Sequence, residues 1–252
     1  MQWGSGGPIM ICLHGFGETA DTFLPLAGHM KNRYTLIAVD LPLHGKTVWN
    51  EGMNCLPADI VGIIDKIPGL SNTRFFLAGY SMGGRVALSV YEQIPQRVQQ
   101  LILLAPDGIK INFWYWLATQ TTQGNRLFQF LMNKPDIFFV ITRMLKQCGM
   151  INLGIYNYVH QYLKKKEKRL QLYTIWTTMR KLKPGTKTIK SLVSANKTRI
   201  TLFYGRYDRV IRHSTGSGFR KGLEDHCTLH ILPCGHRLLQ EKNTPTIAAL
   251  LS

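Results

Sequence analysis

Phe75-Phe76-Leu77-Ala78-Gly79-Tyr80-Ser81-Met82-Gly83-Gly84-Arg85-Val86-Ala87-Leu88 is the stretch on which the fold turns. An apolar run of strand character meets G-x-S-x-G and continues into a helical pattern, the order needed to present a serine on a sharp strand-to-helix turn. The backbone of such a turn is squeezed, and the glycines two before and two after Ser81 remove side chains that would collide. The serine hydroxyl is then delivered to the start of a helix. With 23 Gly in 252 residues, chance supplies this pentapeptide only about 0.07 times. Its surroundings decide.

Outward from Ser81, apolar runs alternate with helical patterns. Pro8 to Leu13, Tyr34 to Val39, the run ending at Ala78 and Leu101 to Leu104 read as strands buried on both faces, because they lack polar alternation. The series resumes with Arg199 to Tyr204 and Cys227 to Leu232. Helices are predicted over roughly Thr22 to Lys31, Ala58 to Lys66, Gly83 to Gln93, Thr215 to Leu223 and Pro245 to Leu251. Such alternation implies an α/β fold, a mostly parallel sheet with helices on both faces.

Residues 108–196 break the rhythm. Aromatic and bulky apolar residues recur there at helical spacing, from Phe113, Trp114 and Trp116 through Phe128 and Phe138 to Tyr173 and Trp176. The segment reads as a helical cap inserted into a core made of residues 1–107 and 197–252. It also carries most of the charge: 15 Lys+Arg against 2 Asp+Glu, a net +13 of the chain's +17. The clusters Lys164 to Arg169 and Arg180 to Lys183 read either as solvated helix faces or as attraction for an anionic substrate or an acidic membrane surface. Charge alone admits nucleic acid, but no recognition motif supports it.

Five single cysteines (Cys12, Cys55, Cys148, Cys227, Cys234) form neither a disulfide framework nor a zinc pattern. The N-terminal residues have no basic region followed by a long apolar one, and no run reaches the roughly 18 apolar residues of a membrane span. The expectation is a soluble cytoplasmic protein, with no cofactor implied by any motif.

Taken together these residues resemble the α/β-hydrolase superfamily, over nearly the whole chain. His14-Gly15-Phe16-Gly17 looks like its oxyanion loop, and Asp40-Leu41-Pro42-Leu43-His44-Gly45 like its D-x-P-G-H-G turn with Leu43 in place of glycine. Gly79 to Gly84 matches the nucleophile elbow, Tyr204 to Asp208 the acid loop, and Pro233-Cys234-Gly235-His236 the histidine loop. The chain order Ser, Asp, His agrees as well. One departure is that the family's opening antiparallel hairpin is absent or reduced to Met1 to Gly7.

The resemblance implies a triad of Ser81, Asp208 and His236, with the backbone N–H groups of Phe16 and Met82 as oxyanion donors. Asp107, at the end of an earlier strand, is the rival acid; His213, His226 and His230 are the rival bases. Arg85, on the first turn of the elbow helix, could reach a substrate carboxylate or simply be solvated. Trp114 and Trp116 would line an apolar cavity or pack the cap.

Three functions stay open. A serine hydrolase would cleave a small-molecule ester or thioester with an apolar acyl group, its substrate anionic or lipophilic. A carbon–carbon lyase resembling the menaquinone-pathway cyclohexadiene synthase would need Arg85 and further arginines gripping carboxylates. A non-catalytic ligand receptor would leave an intact triad unexplained.

Overall fold

The computed structural model describes residues 1–151 and 153–251. Strands β1 (Gln2–Trp3), β2 (Ile9–Leu13), β3 (Thr35–Val39), β4 (Phe75–Tyr80), β5 (Val98–Leu104), β6 (Arg199–Gly205) and β7 (Cys227–Leu232) form one sheet in the order β1-β3-β2-β4-β5-β6-β7. All neighbours are parallel except β1 and β3. Burial explains the sequence pattern. The central strands β2, β4 and β5 are nearly continuous buried runs, whereas β3 and β7 toward the edges alternate buried with more exposed residues. At the sheet edge Gln2 and Trp3 of β1 pair antiparallel with Ile37 and Leu36, and the Met1 amine donates to Ala38 O at 2.8 Å.

Strand order fixes where a site can form. From β2 the chain crosses to β3 on one side, and later to β4 on the other, so the C-terminal ends of β2 and β4 flank a topological switch point. Crevices open there, and ligands of parallel α/β sheets bind in them. Leu13 pairs with Gly79, which brings the loop after β2 beside the turn after β4.

The chain divides into two compact units. The first holds Met1–Asn50, Cys55–Lys110 and the chain from Leu182 onward; the second holds Glu51–Asn54 and Ile111–Lys181. In the first, α3 (Met82–Gln93) is buried along almost its whole length, and α1 (Leu24–Met30), α2 (Pro57–Asp65), α10 (His213–Arg220) and α11 (Thr244–Ala249) stand within a few residues of the predicted helices.

The predicted cap boundary at 196 is too late. α9 (Thr186–Asn196) belongs to the first unit, since Ile189 and Val193 are fully buried and the helix packs beside α3. Lys183, Lys187 and Lys190 therefore leave the inserted segment, and Lys190 donates to Lys221 O at 2.6 Å.

The second unit is helical: α4 (Phe113–Gln120), α5 (Thr122–Asn133), α6 (Pro135–Gln147), α7 (Leu153–Tyr162) and α8 (Lys166–Thr178). Its small core is Phe128, Met132, Leu163 and Tyr173. Arg169, in a basic cluster that reads as a solvated face, is buried instead. Its guanidinium donates to Met132 O, Leu163 O and Lys164 O, each at 2.9 Å, so a cation tethers carbonyls on which an apolar side chain would have no hold.

Candidate active site

Ser81 connects β4 to α3 with φ 52° and ψ −117°, a conformation that costs a non-glycine residue of order 1–3 kcal/mol. The surroundings enforce it. Its N–H donates to Leu104 O (2.9 Å), and its carbonyl accepts from Gly84 N–H and Asp107 N–H (2.9 Å each). The elbow glycines answer to close packing: a Cβ on Gly79 would stand 2.5 Å from Gly83 O, and one on Gly83 would collide with the Leu13 carbonyl.

Asp208 and His236 follow the ends of β6 and β7, and the sheet gathers all three side chains on one edge. His236 Nε2 lies 3.0 Å from Ser81 Oγ, and His236 Nδ1 lies 2.7 Å from Asp208 Oδ2. The Asp208 side chain is wholly buried; its other oxygen accepts from Val210 N–H (2.8 Å) and Ile211 N–H (2.9 Å). Three donors on its two oxygens hold this buried carboxylate in one orientation. With Nδ1–H directed at that carboxylate, Nε2 is left as the acceptor facing the serine.

Two of the rivals have other partners. Asp107 bonds Gly108 N–H at 2.8 Å and pairs with Arg85 at 3.6 Å. His230 stacks on Phe203 within β7.

The loop after β2 is braced by His14. Its Nδ1–H donates to Gly15 O at 2.8 Å and its Nε2 accepts from Leu41 N–H at 3.0 Å. The ring is fully buried, and burial pulls its pKa from 6.5 down to about 4, so the imidazole is neutral. His44 meets it edge-on at 5.0 Å. Asp40 ties the two turns together, accepting from Ala20 N–H (2.7 Å) and Lys46 N–H (3.0 Å). As the first residue of α3, Met82 has an N–H without an intrahelical acceptor. Phe16 lies in the loop braced by His14, its ring edge-on to His44 at 6.3 Å.

Two groups at this site carried no readable sequence signal. Glu18 accepts Gly15 N–H at 3.1 Å, and burial raises its pKa. A Cβ placed on Gly15 would stand 2.9 Å from the Glu18 carboxylate and 3.3 Å from Ser81 Cβ, which puts that carboxylate beside the serine. Tyr80, adjacent to Ser81, donates its hydroxyl to His236 O at 3.1 Å. Sequence pattern treats it as a variable letter of the elbow.

Of the predicted substrate-binding residues, Arg85 belongs to the first unit and Trp114 and Trp116 to the second. Arg85 is 3% exposed and paired with Asp107, so its charge is engaged within the core. Trp114 and Trp116 are exposed on α4 of the second unit, where Phe113 packs against both rings. Among the described residues no three His, Cys, Asp or Glu side chains converge as a metal site requires. No helix among them is long and apolar enough to cross a membrane.

Comparison with known proteins agrees with this fold. The chain is 33% identical over 118 residues to a pimeloyl-[acyl-carrier protein] methyl ester esterase of Nitrosomonas europaea, a match covering 46% of this chain and 45% of that one. The chain thus spans less than half the length of this first curated relative. The uncharacterized hydrolase YugF of Bacillus subtilis is 23% identical over 251 residues, covering 94% of this chain and 86% of that one. Among solved structures, a thermophilic esterase from Thermogutta terrifontis superposes with a TM-score of 0.71 at 16% identity, covering 100% of this chain and 91% of that one. A meta-cleavage product hydrolase from Pseudomonas fluorescens gives 0.66 at 19%, with the same coverage. The family model described as serine aminopeptidase, S33 matches residues 7–243. The chain is a member of that family, within the α/β-hydrolase superfamily.

Proposed function

We propose that the protein is a serine hydrolase that cleaves a carboxylic ester or thioester with an apolar acyl group through an acyl-enzyme. The observation that carries this reading is the chain of two hydrogen bonds from Ser81 Oγ through His236 to buried Asp208. A serine hydroxyl is a poor nucleophile unaided. Here His236 Nε2 removes its proton as Oγ attacks the acyl carbon, Asp208 stabilises the imidazolium, and the proton is returned to the leaving group. The N–H groups of Phe16 and Met82 receive the oxyanion, each donor contributing about 3 kcal/mol to the transition state. Water, activated by the same histidine, then releases the acid.

The lyase reading needs Arg85 to hold a substrate carboxylate, and pairing with Asp107 speaks against it. The receptor reading leaves a strained serine with a base and an acid in contact without purpose. p-Nitrophenyl esters of short to medium chain test the proposal. Hydrolysis and fluorophosphonate labelling of wild type, both lost in a folded Ser81→Ala variant, are expected. Absence of both from wild type would overturn it, and labelling without turnover would favour the receptor.

A further inference from the structure

The loop that carries Asp208 holds a second set of groups. Residues 206–209 and 212–214 line a concavity of about 300 Å³, and Arg206, Arg209, Arg212 and His213 are among them. Asp208 is the one carboxylate in that lining, and His236, Val210 N–H and Ile211 N–H already occupy its oxygens. Among the described residues no carboxylate forms an ion pair with any of the three arginines. Three other arginines of the same unit have work inside the fold: Arg33 bonds Ala248 O (2.8 Å), Arg97 pairs with Asp65 (2.7 Å), and Arg220 bonds Cys227 O (2.9 Å).

The three around this concavity therefore crowd like charge at spacing i, i+3, i+6 without a counter-ion from the protein. α10 begins at the same place, and its N-cap residue, Arg212, supplies no side-chain cap. The first N–H groups of α10 and its positive dipole end add to the field of the guanidiniums. A cationic ligand would be repelled here. A multiply charged oxyanion would find partners, because each guanidinium offers a planar fork of donors to paired oxygens.

We propose that this concavity binds a phosphate group, as a phosphomonoester or diphosphate, either free or carried on the leaving group of an acyl substrate. The second source rests on the hydrolase reading above; the first does not. The concavity shares Asp208 with the triad, so a phosphate seated in it is held next to the residue that orients the base.

The test is calorimetric titration of the full chain, as the Ser81→Ala variant, with pyrophosphate at low ionic strength. Saturable binding at one site is expected. Arg206→Gln/Arg209→Gln should weaken it at least about tenfold, whereas Lys165→Gln/Lys166→Gln, an equal loss of charge on the other unit, should change it less than about twofold. All four positions are exposed, and circular dichroism checks that the variants fold. No saturable binding, or equal weakening by both double variants, would overturn the proposal, the latter by reducing the effect to the general field of a +17 chain.

Kinetics of the wild type distinguish the sources. Pyrophosphate that competes with an acyl-coenzyme A but not with the p-nitrophenyl ester of the same acid marks a substrate-borne phosphate; calorimetric binding without that difference marks a free one. Intact binding in a protein that hydrolyses nothing refutes the hydrolase reading alone.

Discussion

Lowering the pH from 7 to 5 should destabilise the protein through His14. In the fold this ring is wholly buried, donates from Nδ1 and accepts Leu41 N–H on Nε2. A second proton would turn the acceptor into a donor facing another donor, on a fully buried ring. The folded pKa is accordingly near 4 against 6.5 for a free imidazole. The unfolded chain takes up the proton as pH falls below 6.5, whereas the folded chain refuses it until about 4. The stability tied to this neutral ring is fully present above 6.5, drains between 6.5 and 4, and does not change further below.

At about 1.4 kcal/mol per pH unit the whole window is worth about 3 kcal/mol, and about 2 kcal/mol is lost by pH 5. His44, also depressed by burial, adds to the wild-type slope, so the comparison must be with a variant. His14→Gln keeps an acceptor and a donor in place but does not titrate. Urea unfolding at pH 7 and pH 5 should show a wild-type loss exceeding that of the variant by about 2 kcal/mol, close to 0.8 M in midpoint. Equal losses in the two proteins would refute the assignment of His14 as a buried neutral brace.

Asp208→Asn should lower kcat on a p-nitrophenyl ester by about 10⁴ with KM little changed, since the amide holds the wrong tautomer of His236; a loss under tenfold would remove Asp208 from the mechanism. Two glycines should respond with opposite signs in urea unfolding. Gly83→Ala drives a Cβ onto the Leu13 carbonyl and should cost about 2 kcal/mol or more while slowing labelling of Ser81. Gly62→Ala, in α2 with open space around the added methyl, should stabilise by up to about 1 kcal/mol.

The sheet was readable where strands are buried on both faces, because β2, β4 and the Leu101 to Leu104 half of β5 had no polar residues to confuse the period. β1 was not, since two residues have no period; it exists because β3 leaves an edge to pair with. The end of the inserted segment was misplaced because Lys183, Lys187 and Lys190 continue its basic composition, while Ile189 and Val193, which decide the packing of α9, are only two residues. Ser81, Asp208 and His236 were visible because each follows a strand in a short motif, and the structure brings them into hydrogen-bonding contact.

Glu18 was invisible because its place depends on a loop turning Gly15 N–H toward it, a backbone event no side-chain pattern announces. Arg85 was ambiguous between solvent and substrate, and the structure takes neither, because Asp107, which the sequence offered as the rival acid, is its partner.

Ser81 and His236 touch across 155 intervening steps of sequence, and their strands are separated in the sheet by β5 and β6. A chain emerging during synthesis owns its elbow strand long before it owns its base. On the proposed mechanism, a chain with β1 to β5 assembled already holds the serine yet has nothing to deprotonate it. Only when β7 docks on β6 does the proton acceptor arrive. On the same mechanism, appearance of fluorophosphonate reactivity during refolding is therefore a clock for the docking of β7 on β6.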